Sequence, residues 1–280
     1  MAEEKMKTQV AIYSTDRSPN PNYCPATLKE LCAGGASRSD ISVYVSGTLG
    51  EYLRAEEVAV VERDEGDDSA ARSRVHNASF NMRRAILCAS TELPLYLCED
   101  DIAMAPAWLA RAEELSLAIS KARVDESQED AECFTLALFF PYGAGPVPRP
   151  DLRFQYLSSV DPSHRGWWQE YAASSFWGNQ CLRFSPSALS VAQQWLKEQP
   201  GESLDMPPDM VVKNLFLSAK TMGLYGCLPS LAQHIGDVSV AFDGEDGRWG
   251  RWGDRKKGGG DTRDIFESPV ARNFDQMGEK

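Results

Sequence analysis

Short β-branched runs alternate with stretches of helical period through the first half of the chain, and that alternation narrows the fold more than any other feature. Gln9-Val10-Ala11-Ile12-Tyr13 predicts a first strand. Pro25-Ala26-Thr27-Leu28 opens a helix with proline in its first turn, and Gly34-Gly35 closes it. Strands follow at 41–45 and 58–62, then a helix over 73–89 whose Val75, Ala78, Met82, Ala85, Ile86 and Ala89 fall on one face. Asn77, Asn81 and Arg84 share a different face of the same helix. Strand, helix, strand and helix in this order predict an α/β fold built on a largely parallel sheet.

The next strand carries the chemistry. Leu93-Pro94-Leu95-Tyr96-Leu97-Cys98 is apolar and ends in Glu99-Asp100-Asp101, with Ile102 after it and a helix expected over 107–122. Adjacent carboxylates repel one another and lose hydration when buried, a cost that a hard divalent cation offsets. A solvated acidic turn is the plainer alternative. Placement decides between them, because ligands of open α/β sheets gather at the C-terminal strand ends. The polar loop after the first strand ends at the same edge.

The second half is less regular. Residues 134–140 read as an apolar strand, and 147–175 hold Trp167-Trp168 and several prolines, as an insertion lining a cleft or as core aromatics. A bend into a strand over 176–184 leads to Ser185-Pro186, which cap a helix to about 197. Another helix starts near Asp209, after Pro207-Pro208, and a short strand spans 223–229. Residues 1–240 thus form one domain. Residues 241–280 are rich in glycine, with Arg248, Arg251, Arg255, Lys256 and Lys257 interleaved by Trp249 and Trp252, and predict a flexible tail.

Composition excludes several classes. With 29 basic and 41 acidic residues the net charge is −12, which argues against a broad nucleic-acid surface. No apolar run is long enough for a membrane helix, and the start Met-Ala-Glu-Glu-Lys-Met-Lys lacks the apolar region of a signal peptide. Seven cysteines without CxxC spacing read as reduced core residues, so the expected compartment is cytoplasmic.

Three stretches taken in order carry a resemblance. They are Asn81-Met82-Arg83-Arg84-Ala85, the strand ending in Glu99-Asp100-Asp101-Ile102, and Pro229-Ser230-Leu231-Ala232-Gln233-His234-Ile235-Gly236. Over residues 8–240 the chain resembles nucleotide-sugar-dependent glycosyltransferases of the GT-A type, in particular the branching N-acetylglucosaminyltransferases and the lipopolysaccharide-type enzymes. The resemblance implies a single GT-A-like, Rossmann-like domain, a Mn²⁺ or Mg²⁺ cofactor and a nucleotide-sugar donor, a UDP-sugar first. The DxD-like triplet then gives Asp101 as the metal ligand, with Glu99 and Asp100 on ribose or donor-sugar hydroxyls. His234 resembles a downstream histidine that completes the metal or diphosphate site; an isolated histidine is as readily structural.

Further roles follow from the same resemblance. Thr15, Asp16 and Arg17 fall where base and ribose are held, and Asn81 and Arg84 face the same nucleotide. Inverting transfer needs a carboxylate to take the acceptor proton. Asp209 is the candidate, with Asp205 and Glu202 as rivals. An N-cap is its plainer reading, and the helix dipole would lower its pKa and weaken it as a base. Arg248 and Arg251 suit a lid over the diphosphate, a contact to a polyanionic acceptor such as nucleic acid, or a solvated tail. The acceptor stays open among glycan, protein, small molecule and modified nucleic acid. A Mg²⁺-dependent nucleotidyltransferase using the same acids is the rival enzyme, although no glycine-rich phosphate loop with a following lysine lies near the first strand. A non-catalytic nucleotide-sugar-binding protein is the third reading.

Overall fold

The computed structural model describes residues 7–15, 22–46, 53, 56–62, 73–128, 130–139, 168–170, 172–176, 179–199, 206–227 and 231–234. The expected tail over 241–280 lies outside them, as do Asp16, Arg17, Glu202, Asp205, Arg248 and Arg251.

The strands are β1 (Gln9–Tyr13), β2 (Ile41–Val45), β3 (Ala59–Glu62), β4 (Leu95–Glu99), β5 (Ile102–Met104), β6 (Phe134–Ala137), β7 (Trp168–Glu170), β8 (Cys181–Phe184), β9 (Gly223–Cys227) and β10 (Ala232–His234). The helices are α1 (Cys24–Ala33), α2 (Arg74–Cys88), α3 (Trp108–Asp125), α4 (Pro186–Glu198) and α5 (Pro208–Ser218). Eight strands form one sheet in the order β3-β2-β1-β4-β8-β6-β9-β7, and β5 pairs with β10 in a separate ribbon.

The fold is α/β, as expected, and the sheet is mostly parallel. β3, β2, β1 and β4 run parallel, and so do β6 and β9. Against them β8 lies antiparallel between β4 and β6, and β7 antiparallel to β9. Alternation along each strand divides the core into two layers. Val10 and Ile12 of β1 pack with α1 and α3, through residues such as Leu28, Leu31 and Trp108. Ala11 and Tyr13 face the other layer, where Met82 of α2, Leu189 of α4 and Val212 of α5 meet the sheet.

Local chemistry explains the element ends. Ser73 caps α2 by accepting the His76 N–H, and Ser185 caps α4 by accepting the Ala188 N–H. At the end of α1, Gly35 N–H reaches Cys32 O and Ala36 N–H reaches Leu31 O, a pair of bonds that needs the left-handed φ of 116° at Gly35. Trp108 fits against this turn so closely that a Cβ on Gly34 would stand 2.0 Å from its ring. Trp168, read either as cleft or as core, packs edge-on against Tyr225 with ring centroids 5.3 Å apart.

The helix expected over 107–122 is α3, which starts within a residue of that bound, and a short strand not foreseen, β5, lies between it and the acid triplet. Asn77 and Asn81, which share a face of α2, are both buried where α2 packs between the sheet and α4 and α5. Among the described residues no helix is long and apolar enough to cross a membrane.

Candidate functional site at the ends of β1 and β4

The parallel strands β1 and β4 end side by side, with Tyr13 opposite Glu99. This is the point where the order β3-β2-β1-β4 reverses direction, the usual place for a ligand crevice in an open α/β sheet. Glu99 is the last residue of β4, half-buried, while Asp100 and Asp101 turn into the interior at 3% and 2% exposure. A solvated acidic turn is thereby ruled out.

Each acid is held differently. Glu99 accepts the Tyr13 hydroxyl proton at 3.0 Å, and its N–H donates to Gln180 O at 2.8 Å. Asp100 accepts the hydroxyl of Ser14 through Oδ2. Thr27 Oγ1, inside α1, lies 2.8 Å from the carbonyl of Asp100 and 3.0 Å from that of Ile102, and accepts the Ile102 N–H at 3.0 Å. One buried hydroxyl therefore fixes the backbone on both sides of Asp101.

The ribbon brings in the distant motif. β5 and β10 pair antiparallel, with Ile102 opposite His234. Backbone register thus places residue 234 beside the residue that follows Asp101. The segment is further tied by Ala105 N–H to Leu231 O at 2.8 Å.

Asp209 approaches from α5. It occupies the second position of the helix rather than the expected N-cap, which is Pro207. Its carboxyl pKa is raised, not lowered as the helix dipole alone implies: burial pushes it up, outweighing hydrogen bonds from the Met210 N–H and its own N–H and the charge of Lys213. A raised value makes it a stronger base than first expected. Tyr13 reports the company it keeps. Burial pushes the phenol well above its ordinary range, and the charges of Glu99, Asp101 and Asp209 push the same way. Of the three acids only Glu99 is bonded to that hydroxyl; Asp101 and Asp209 act on it through their charge.

The nucleotide-side candidates separate. Thr15 is buried at the end of β1. Asn81 is buried too, and its amide donates to Ser14 O at 2.7 Å and Ser46 Oγ at 2.8 Å, tying the ends of β1 and β2 together. Arg84 turns towards β2 and β3: it donates to Glu62 O at 2.9 Å and stacks over Tyr44 and Phe80. Tyr13, Ser14, Thr27, Ser46 and Asn179 were not singled out from the sequence. Position alone could have raised Tyr13 and Ser14, since they end the first strand; nothing in the sequence marks Asn179.

A metal fits here only in one form. Among the described residues no three histidine, cysteine or carboxylate side chains gather as a closed cage would require. Mg²⁺-type sites commonly use one or two carboxylates and complete their shell with substrate phosphates and water. The buried Asp101 beside Glu99 and Asp100 suits that open form. A cleft between α4 and α5, reaching from Trp195 to Leu217, includes no ionisable side chain in its lining and offers no comparable chemistry.

No protein-family model matches the sequence, and no curated protein matches it. Among solved structures, one assigned as a glucose-1-phosphate thymidylyltransferase from Bacillus anthracis, in complex with a sucrose, is 8% identical, with a TM-score of 0.43 over 81% of this chain and 89% of that one. A mannosyltransferase from Pyrobaculum calidifontis in complex with GDP-Man and Mn²⁺ is 12% identical, with a TM-score of 0.40 over 78% of this chain and 56% of that one. A galactosyltransferase in complex with donor and acceptor sugar analogs is 10% identical, with a TM-score of 0.37 over 75% and 70%. All three likenesses are distant.

Proposed function

We propose that this chain is a divalent-metal-dependent glycosyltransferase of the GT-A type that moves a sugar from a nucleotide-sugar donor, a UDP-sugar first, to an acceptor hydroxyl. The observation that carries the reading is the burial of Asp100 and Asp101 directly after β4, beside the end of β1, at the point where the strand order reverses.

In this reading Asp101, with His234 from the facing strand, holds Mn²⁺ or Mg²⁺. The bound cation supplies Lewis-acid stabilisation of the leaving diphosphate. Glu99 takes a donor-sugar hydroxyl. Asp100, already bonded to Ser14, shapes the floor beneath the ribose. Thr15, Asp16 and Arg17 hold the base and ribose from the end of β1, and Arg248 and Arg251 cover the diphosphate. Asn81 acts through Ser14 and Ser46, and Arg84 supports the neighbouring strands. The acceptor oxygen bonds to the anomeric carbon as the bond to the diphosphate breaks with its electron pair, and Asp209 takes the acceptor proton, so the transfer inverts. Its raised pKa suits that task.

Thermal unfolding with UDP- and GDP-sugars, each with and without Mn²⁺, tests the reading. A donor at 100 times its Kd adds about 2.7 kcal/mol of stability, or roughly 5–10 °C for a chain of this size. The shift should need the metal and vanish in Asp101→Asn. Stabilisation by a nucleoside triphosphate with Mg²⁺, and by no nucleotide sugar, would instead favour nucleotidyl transfer.

A further inference from the structure

The phenol of Tyr13 has one proton, and it is spent on Glu99 Oε1 at 3.0 Å. Its oxygen can then only accept, and it does so from Asn179 Nδ2 at 2.7 Å. The amide orientation of Asn179 follows from this donor count. Tyr13 and Asn179 are 3% and 2% exposed. The three residues come from the end of β1, the end of β4 and the segment leading into β8, so the bonds cross three neighbouring strands at their mouth. Tyr13 and Glu99 are opposite each other in register and share a sheet face with the layer containing α5. A buried chain whose every step is satisfied fixes its members in one geometry. Glu99 is the only member at the half-buried rim.

We propose that Tyr13, seated on Asn179, is a positioning residue that aims the Glu99 carboxylate at a hydroxyl of the donor sugar. The inference rests on the glycosyltransferase reading above and adds to it the device that orients the sugar rather than the nucleotide. Free rotation of Glu99 about its side-chain torsions would scatter the acceptor oxygens that the sugar needs. Tyr13 removes that freedom from one side, and the Glu99 backbone, bonded to Gln180, removes it from the other. The nucleoside diphosphate makes no use of the device.

The test compares Tyr13→Phe with wild type for two probes in the presence of Mn²⁺: UDP-N-acetylglucosamine, or the nucleotide sugar giving the largest thermal shift, and its nucleoside diphosphate. Tyr13→Phe should bind the sugar nucleotide about tenfold more weakly, the loss of one charged hydrogen bond, and the diphosphate equally well. In a Glu99→Ala background, where no carboxylate remains to aim, Tyr13→Phe should add nothing. Equal weakening for both probes, or no weakening, overturns the proposal while leaving the functional reading intact. Wild-type protein that binds no nucleotide sugar overturns both. If Tyr13→Phe does not fold, Asn179→Ala keeps the phenol, removes its seat, and should give a smaller loss confined to the sugar nucleotide; equal losses overturn the proposal there too.

Discussion

Two buried tyrosines each donate to a glutamate, and their surroundings could hardly differ more. Tyr96 of β4 gives its proton to Glu113 of α3 at 2.5 Å, and Glu113 in turn accepts Arg183 of β8 at 3.1 and 2.8 Å. The guanidinium lies over the rings of Tyr96 and Phe134, 5.9 Å from each. Burial pulls the Arg183 pKa down, yet the bonds to Glu113 and the neighbouring charges push it up further. Charge there sums to zero. Around Tyr13, three residues past Tyr96 in the neighbouring register, the charges that bear on the phenol all belong to acids. The first cluster balances its buried carboxylate with a cation of the chain, whereas the second sets the charges of three acids on one phenol, the contrast on which the proposed function rests.

Breaking the neutral cluster should have the largest effect on folding. Glu113→Gln leaves Arg183 buried without its anion, which costs about 3–5 kcal/mol. The urea midpoint should fall sharply while the KM of molecules that remain folded stays unchanged. Asp101→Asn should do the reverse: transfer falls about 10²–10³-fold, as for removal of one charge-stabilising group, while the urea midpoint holds or rises because a like charge has gone. A large loss of stability there would erase the distinction between the two clusters.

Asp209→Asn sharpens it further through pH. The folded pKa of Asp209 lies above its unfolded value, so the folded state binds more protons between the two, and stability falls as pH rises through that window. Above the window the penalty is constant. Asp209→Asn should therefore be more stable than wild type at pH 7, with the advantage fading below the ordinary carboxylate range, and slower in transfer by about 10²-fold or more. Thermal melts across pH 3–8, beside a transfer assay, measure both halves.

Much of this architecture was legible in the residues. β1, β2 and α2 lie within a residue of their predicted bounds, because hydrophobic period and caps such as Ser73 and Ser185 are local signals. The position of Glu99-Asp100-Asp101 at a strand end followed from the same reasoning. What remained hidden depends on register. Three-residue strands such as β5 and β10 carry no measurable period, and the insertion of β8 between β4 and β6 reverses a neighbour without any local mark. Tyr13 at the end of an apolar run reads as core. Its partners Glu99 and Asn179 stand 86 and 166 positions away in the chain, and only the folded sheet brings them to it.

The ribbon of β5 and β10 has a consequence in time as well as in space. A two-stranded pair is barely stable alone, and this one closes a loop between residues 102 and 234. Its supports are borrowed: Thr27 inside α1, and Leu138 O, which accepts the N–H groups of Leu231 and Ala232. Distant pairings of this kind form after the local elements that support them. The ribbon therefore closes only once α1 and the end of β6 are in place to receive it, and residue 234 reaches its position opposite Ile102 at that step.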